Sequence, residues 1–410
     1  MNKVSLDLKK DFKLIRQEFP ILEKCVYLIS NSLGAVPRRA KKHLERYYRL
    51  WAEEGVKAWE KEWWNLAQRV ATAISSLIGA SSEEVTMVPN ATIGHWLALS
   101  CLFSRNNKKR KKIIVTDQDF PSIIYALQAM SQFSGWKIIM VKSNAQMEIE
   151  ADKILEEIDE QTLAVVTSHV YFKSAYIQNI ALISARAREA GAFTVIDGYH
   201  APGIIPVNVK NLDVDFYISG CLKWLCGGPG NGFLYAKSEL SPSLRPLLTG
   251  WFAHKKPFSF NLKMDYIPGA YRFMSGTPPI ACFYGALAGL EIIKRVGIPQ
   301  IRQKSLALTQ FIIDKAKERD FSLFTPMEEK LRAGAVSVEV PHGFALKKAL
   351  TKRNILVDFR QGKGPEPDVI RIGPHFYNRE QEIDVLFKAI DDIFSSGEYK
   401  HYSDKIRHIS

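Results

Sequence analysis

From about residue 80 to residue 240, short runs of β-branched and aliphatic residues alternate with amphipathic helical patterns, a rhythm that few folds satisfy. The apolar runs read "KKIIVT", "TLAVVTS", "FTVID", "VDFYISG" and "NGFLYAK", with "SIIYALQAM" and "ALISARAREAGA" among them as helical patterns. A strand with one wet face would alternate apolar and polar residues, so runs this continuously apolar belong to strands covered on both faces. Their alternation with helices predicts an α/β fold with a mostly parallel sheet. One helix is marked in detail: Ile180, Ile183, Ala187 and Ala190 recur at helical spacing, and Gly191 stands where a stop is expected.

After about residue 280 the texture changes. "CFYGALAGLEIIKRVG" and "IRQKSLALTQFIIDKAKERD" predict long amphipathic helices, and "AVSVEV", "ILVDF" and "VIRIG" predict strands. For a chain of 410 residues this gives a large domain over 31–282 and a smaller α+β domain over 283–410, with residues 1–30 packing beside the smaller one.

Composition narrows the classes. The five cysteines, Cys25, Cys101, Cys221, Cys226 and Cys282, have neither the density of a disulfide framework nor paired metal spacing, so a reduced compartment and no metal are expected. The first residues, "MNKVSLDLKKDFKLIRQEF", interrupt their apolar positions with charges, unlike a signal peptide, and no later segment approaches the length of a membrane span. A cytoplasmic protein without a membrane partner is expected. The net charge is +13, with a dense run, "RNNKKRKK", at Arg105 to Lys112. That run precedes a strand and has no interleaved aromatics, so it reads as a solvated turn and no nucleic-acid partner is expected. The excess of Lys and Arg suits an anionic small molecule.

In open α/β sheets, ligands bind beyond the carboxyl ends of the strands. Three predicted strand ends carry polar or aromatic groups: Asp117 to Phe120, then Ser168 and His169, then Asp197 in "IDGYHAPG". Lys223 follows the next strand and precedes the glycine-rich turn "CGGPGNG". In "VPNATIGHW", Asn90 or Thr92 can cap a helix whose free N–H groups would cradle an anion. A carboxylate, a lysine, an aromatic ring and an anion-binding helix start together suit pyridoxal 5'-phosphate. The lysine is its covalent anchor, the carboxylate keeps the pyridine nitrogen protonated, the aromatic lies on the ring, and the helix start takes the phosphate.

These residues sit in a wider pattern. "NSLGAVP" (31–37), "DFPS" (119–122), "SHVYFKSAY", "DGYHAPGIIPVNV", "KWLCGGPG", "GWFAH" (250–254), "GTPP" (276–279) and "VIRIGP" resemble the class V group of fold type I pyridoxal-phosphate enzymes, and within it the kynureninases. The resemblance implies that Phe120 stacks on the pyridine ring, that Asp197 and His200 hold its nitrogen and phenolic-oxygen side, and that Lys223 is the covalent anchor. It implies phosphate binding by Ala91 and Thr92. It implies that Trp251 and Thr277 reach the phosphate of a neighbouring subunit, hence a homodimer with shared sites. Arg371 would clamp the carboxylate of an L-amino-acid substrate as a bidentate pair.

The chain also departs from the kynureninase pattern. Leu222 stands where those enzymes carry a tyrosine before the lysine, Ile123 where they tend to hold an acid, and Thr277 where an asparagine precedes the "PP" pair. The leading expectation is hydrolysis of the β–γ carbon bond of kynurenine or a related β-acyl amino acid. An epimerase or a carbon–sulfur β-lyase needs Lys223 and Arg371 but not the missing tyrosine and is the alternative. A cysteine desulfurase needs a nucleophilic cysteine in the C-terminal region, and none follows Cys282. A DNA-binding module would support a non-catalytic protein keeping such a site, but the first residues offer only one amphipathic segment, "LKKDFKLIRQEF", so that reading is not expected. The tryptophan-rich "WAEEGVKAWEKEWW" (51–64) reads as a brace for the core rather than a wall of the site.

Overall fold

The computed structural model of the chain describes residues 8–103, 109–362 and 366–402. Arg105 to Lys108 of the basic run lie outside them. The described remainder is tied down: Arg110 donates to the Thr162 carbonyl at 2.9 Å, and Lys112 pairs with Glu157 and Asp159 at 3.1 and 3.2 Å.

Seven strands form the main sheet: β1 (Val85–Val88), β2 (Lys112–Thr116), β3 (Lys137–Val141), β4 (Thr162–Ser168), β5 (Phe193–Asp197), β6 (Phe216–Gly220) and β7 (Gly232–Ala236), in the order β1-β7-β6-β5-β4-β2-β3. Only β7 runs antiparallel to its neighbours. Every residue of β4 and β6 is buried, which accounts for their unbroken apolar runs, because helices cover both faces. The helix predicted around Ile180 spans Ile180–Glu189, and Gly191 adopts a φ of +69° beyond it. The sequence reading missed two edge strands, β1 and β3. In β3 the residues Lys137–Met140 are exposed or half-buried, so its run is weaker than those of the centre.

Beyond the sheet, the helices Ile280–Val296 and Ile298–Lys317 follow the amphipathic patterns closely. The strand-like runs of the C-terminal region form a three-stranded antiparallel sheet of β8 (Val336–Val338), β9 (Asp358–Arg360) and β10 (Val369–Ile372), in the order β9-β10-β8. Leu28 belongs to the apolar cluster beneath this sheet. The N-terminal segment joins it directly: Val26 pairs with Ile355, and Arg16 forms an ion pair with Glu382 at 3.0 Å.

The tryptophan-rich stretch packs as a brace. Trp63 is buried and stacks on Tyr47 with centroids 5.5 Å apart, and Trp64 packs on Phe252 and Phe258 at 5.0 and 4.6 Å. All five cysteines are free thiols. Among the described residues no helix is long and apolar enough to cross a membrane.

Candidate active site

The carboxyl ends of β2, β4, β5 and β6 surround a cavity of about 240 Å³. It is lined by Asn90, Ala91 and Thr92 from a helix start, by Phe120, Ser122 and Ile123, by Ser168, Val170 and Phe172, and by Asp197, Tyr199, His200, Leu222 and Lys223. Parallel strands direct their carboxyl ends to one rim, so residues more than a hundred positions apart converge there.

Asp197 ends β5 and is buried; its Oδ1 accepts the Tyr199 N–H at 2.7 Å, which fixes its rotamer. His95 Nε2 lies 3.4 Å from Asp197 Oδ2, and neither ring nitrogen of His95 makes a hydrogen bond within the chain. His95 stands one turn into the helix Ala91–Ser100, on the same face as Ala91. The sequence reading missed it; its position four residues after Ala91 was the available signal. Asn90 is the cap of this helix, accepting the Ile93 N–H at 3.0 Å. That leaves the N–H groups of Ala91 and Thr92 at the cavity wall, where a helix start favours an anion.

Lys223 follows β6 on a turn closed by its own hydrogen bonds: Cys226 N–H to Lys223 O at 3.1 Å and Gly227 N–H to Cys221 O at 2.7 Å. Its Nζ lies 2.5 Å from His200 Nε2 and 4.8 Å from the Tyr199 ring centre. Burial, reinforced by the charge of Arg371, pulls its pKa down to about 7. Burial and the Lys223 charge also push His200 well below the ordinary imidazole range. The pair therefore holds at most one extra proton near neutrality.

Phe120 caps the helix Pro121–Ser134 and faces the cavity, with its ring edge-on to Phe172 at 5.3 Å. Its neighbour Asp119 does not join it. Asp119 is buried behind the rim, accepting the N–H groups of Thr116 and Ser168 at 2.8 and 2.7 Å and the Ser168 hydroxyl at 2.8 Å. It ties the ends of β2 and β4 together, and burial raises its pKa to about 6. His169 also turns away, bonding the Tyr217 hydroxyl at 2.9 Å. Of the three predicted strand ends, then, Phe120, Ser168 and Asp197 reach the cavity.

Three other expected site residues lie off it. Arg371 in β10 is buried, and its guanidinium donates to the Asp358 carboxylate and the Phe172 carbonyl. It acts on Lys223 through its charge. Trp251 packs 6.0 Å from Trp64, and Thr277 is exposed beside Pro278 in a separate crevice near Ile93. None of Trp51, Trp59, Trp63 or Trp64 lines the cavity.

The cavity thus combines a desolvated lysine, a buried carboxylate, an apolar ring and an anion-binding helix start, the donor set that pyridoxal 5'-phosphate requires. The family profile described as aminotransferase class-V matches residues 26–386. The chain belongs to the aminotransferase class-V family. It is a pyridoxal-phosphate-dependent enzyme of fold type I. This class-V chain is 28% identical to the kynureninase of Pseudomonas fluorescens over 99% of its own length and 98% of the relative's. It is 30% identical to the kynureninase of Geobacillus thermodenitrificans, over 98% and 95% of the two chains. A solved cysteine desulfurase from Thermococcus onnurineus NA1 shares the fold, with a TM-score of 0.85 at 22% identity, covering 96% of this chain and 99% of that one.

Proposed function

We propose that the chain is a kynureninase-like hydrolase that cleaves the β–γ carbon bond of kynurenine or a related β-acyl L-amino acid. The observation that carries this reading is the match to kynureninases along nearly the whole of both chains. The absence of any cysteine after Cys282 argues against persulfide chemistry. Leu222 and Ile123, both on the cavity wall, favour one second reading. Neither can pass a proton, so a reaction needing only removal of the α proton, an epimerisation or a carbon–sulfur β-elimination, suits them as well.

Bound pyridoxal phosphate supplies an electron sink for the carbanion at the substrate's α carbon. In this reading Ala91 and Thr92 hold the phosphate at the helix start, and Phe120 covers the ring. Asp197 would hold the pyridine nitrogen protonated, with His95 beside the carboxylate. Lys223 would hold the cofactor and could take a proton at Nζ, for which a pKa near neutrality suits it. His200 accepts at Nε2 from Lys223 and would hold the phenolic oxygen. Arg371, behind the cavity wall against Asp358, would receive the substrate carboxylate.

Residues 31–282 then form the cofactor-binding domain and 283–410 the smaller domain, with 1–30 beside the latter. A homodimer with shared sites is part of the proposal. Trp251, together with the exposed Phe258, Phe260 and Leu262, forms an apolar surface suited to a second copy, whose phosphate Trp251 and Thr277 would reach. A cytoplasmic enzyme completes it.

The decisive experiment is incubation of the holoenzyme with L-kynurenine, followed by fluorescence and chromatography. Anthranilate and L-alanine in equal amounts are expected. Deuterium entering the α carbon without bond cleavage, or pyruvate from cysteine conjugates, would move the assignment to the second reading.

A pH prediction follows from Lys223. Only the neutral amine attacks an aldehyde, and an ordinary lysine is neutral in roughly one molecule per thousand at pH 7.5. With its pKa lowered to about 7 by burial and by Arg371 and Arg360, against the opposing Asp197 and Asp358, Lys223 is mostly neutral above that pH. The rate of cofactor capture by apoprotein should therefore rise with pH and level off above about 7. Absorbance stopped-flow measures it, and a rate still climbing at pH 9 would refute the lowered pKa.

A further inference from the structure

The amine of Lys223 meets His200 Nε2 at 2.5 Å and lies over the ring of Tyr199, 4.8 Å from its centre. His200 cannot attract a charged lysine, because burial and the Lys223 charge itself keep its imidazole neutral. Burial is the largest effect against an ammonium at 223; Arg371 and Arg360 add to it, and Asp197 and Asp358 oppose it. The Tyr199 ring is the group in direct contact that favours the charged form.

That ring is held in place from two sides. The Tyr199 N–H donates to Asp197 Oδ1 at 2.7 Å, which fixes the backbone just beyond β5. The ring lies against Gly220, the last residue of β6, where a Cβ would come within 2.6 Å of Tyr199 Cε2 and 3.0 Å of Cζ. A side chain at 220 would push the ring away, so the glycine lets the phenol lie at the foot of the lysine turn. The hydroxyl takes no part in this placement: it has no hydrogen-bond partner among the described residues. Burial, with Cys221 and Asp197 nearby, pushes its pKa up, so the phenol stays neutral.

A cation within about 6 Å of an aromatic ring centre is attracted to the negative face of the ring, and more strongly where water is excluded. A lysine stem has several rotatable bonds, and an amine without such a seat samples many positions. We propose that Tyr199 is a positioning residue for Lys223, its ring seating the amine and stabilising it as an ammonium. A lysine that has just taken a proton from a substrate is in that state, so the ring supports the step after proton removal. This bearing on turnover rests on the reading of Lys223 as a base given above; the contact of ring and amine does not.

The test reads the protonation of Lys223 itself. The full chain, freed of cofactor, is treated with formaldehyde and cyanoborohydride across a range of pH, and methylation at Lys223 is followed by peptide mass spectrometry. Only the neutral amine reacts, so loss of a group that favours the ammonium moves the midpoint of the profile to lower pH. Replacing Tyr199 by singly, doubly and triply fluorinated phenylalanine keeps the ring nearly the same size while draining its negative face. The midpoint should fall stepwise along this series, by about 0.5 to 1 pH unit in all. Tyr199→Phe should match the wild type, and Tyr199→Leu should fall at least as far as the triply fluorinated ring. A fluorinated series that stays at the Tyr199→Phe midpoint would overturn the proposal, as would a Tyr199→Phe midpoint as low as that of Tyr199→Leu. The near-identical size of the fluorinated rings keeps the test decisive even where Tyr199→Leu does not fold. Wild-type protein that takes up no pyridoxal phosphate would overturn the underlying assignment instead, and the fluorinated series would still decide this inference.

Discussion

Lys223→Ala should lower turnover by roughly a thousandfold or more, since the change removes the group proposed as covalent anchor and base together. Among the described residues Lys223 is the one amine on the cavity wall, and its Nζ is held by His200 at 2.5 Å. No neighbour can replace it: burial holds His200 far below the range of a useful base, and Arg371 stays charged. The variant should still bind pyridoxal phosphate, because the helix start, Phe120 and Asp197 are untouched, but more weakly. Borohydride treatment followed by peptide mass spectrometry should find the adduct on Lys223 in the wild type and on no lysine in the variant. Activity within tenfold of wild type, or an adduct on another lysine, would place the chemistry elsewhere.

Asp197→Asn should cost on the order of 10²- to 10³-fold in kcat, the usual scale for removing one preorganised electrostatic partner. The substitution is nearly isosteric, and an amide oxygen can still accept the Tyr199 N–H, so the fold should survive. What disappears is the carboxylate proposed to hold the pyridine nitrogen. Burial makes that loss larger than it would be in water, because solvent cannot substitute for the missing charge. The measurement is kcat alongside cofactor content and thermal stability. Normal cofactor content with unchanged kcat would show that the carboxylate only shapes the turn after β5.

Much of the core sheet was legible because its signal is local. Strands β2, β4, β5, β6 and β7 are runs that no half-exposed strand would carry. Edge strands β1 and β3 were passed over: one is short, and the other has exposed positions that weaken the apolar pattern. The C-terminal strands were legible as apolar runs, but "ILVDF" is split between Ile355–Leu356 and β9. Pairing the first part with Val26 required a partner more than three hundred residues away, which no local pattern announces.

The candidate site shows the same division. Residue type and order along the chain singled out Asp197, Lys223, Phe120 and the helix start at Ala91, because cofactor chemistry constrains what stands at each strand end. Tertiary packing decided which neighbours face inward. It turned Asp119 and His169 into struts, brought His95 beside Asp197, seated Arg371 on Asp358 and laid the Tyr199 ring against the Lys223 amine. A side chain's chemical type is written in the sequence, whereas its direction and partners depend on long-range contacts that exist only once the sheet and its two flanking layers have closed.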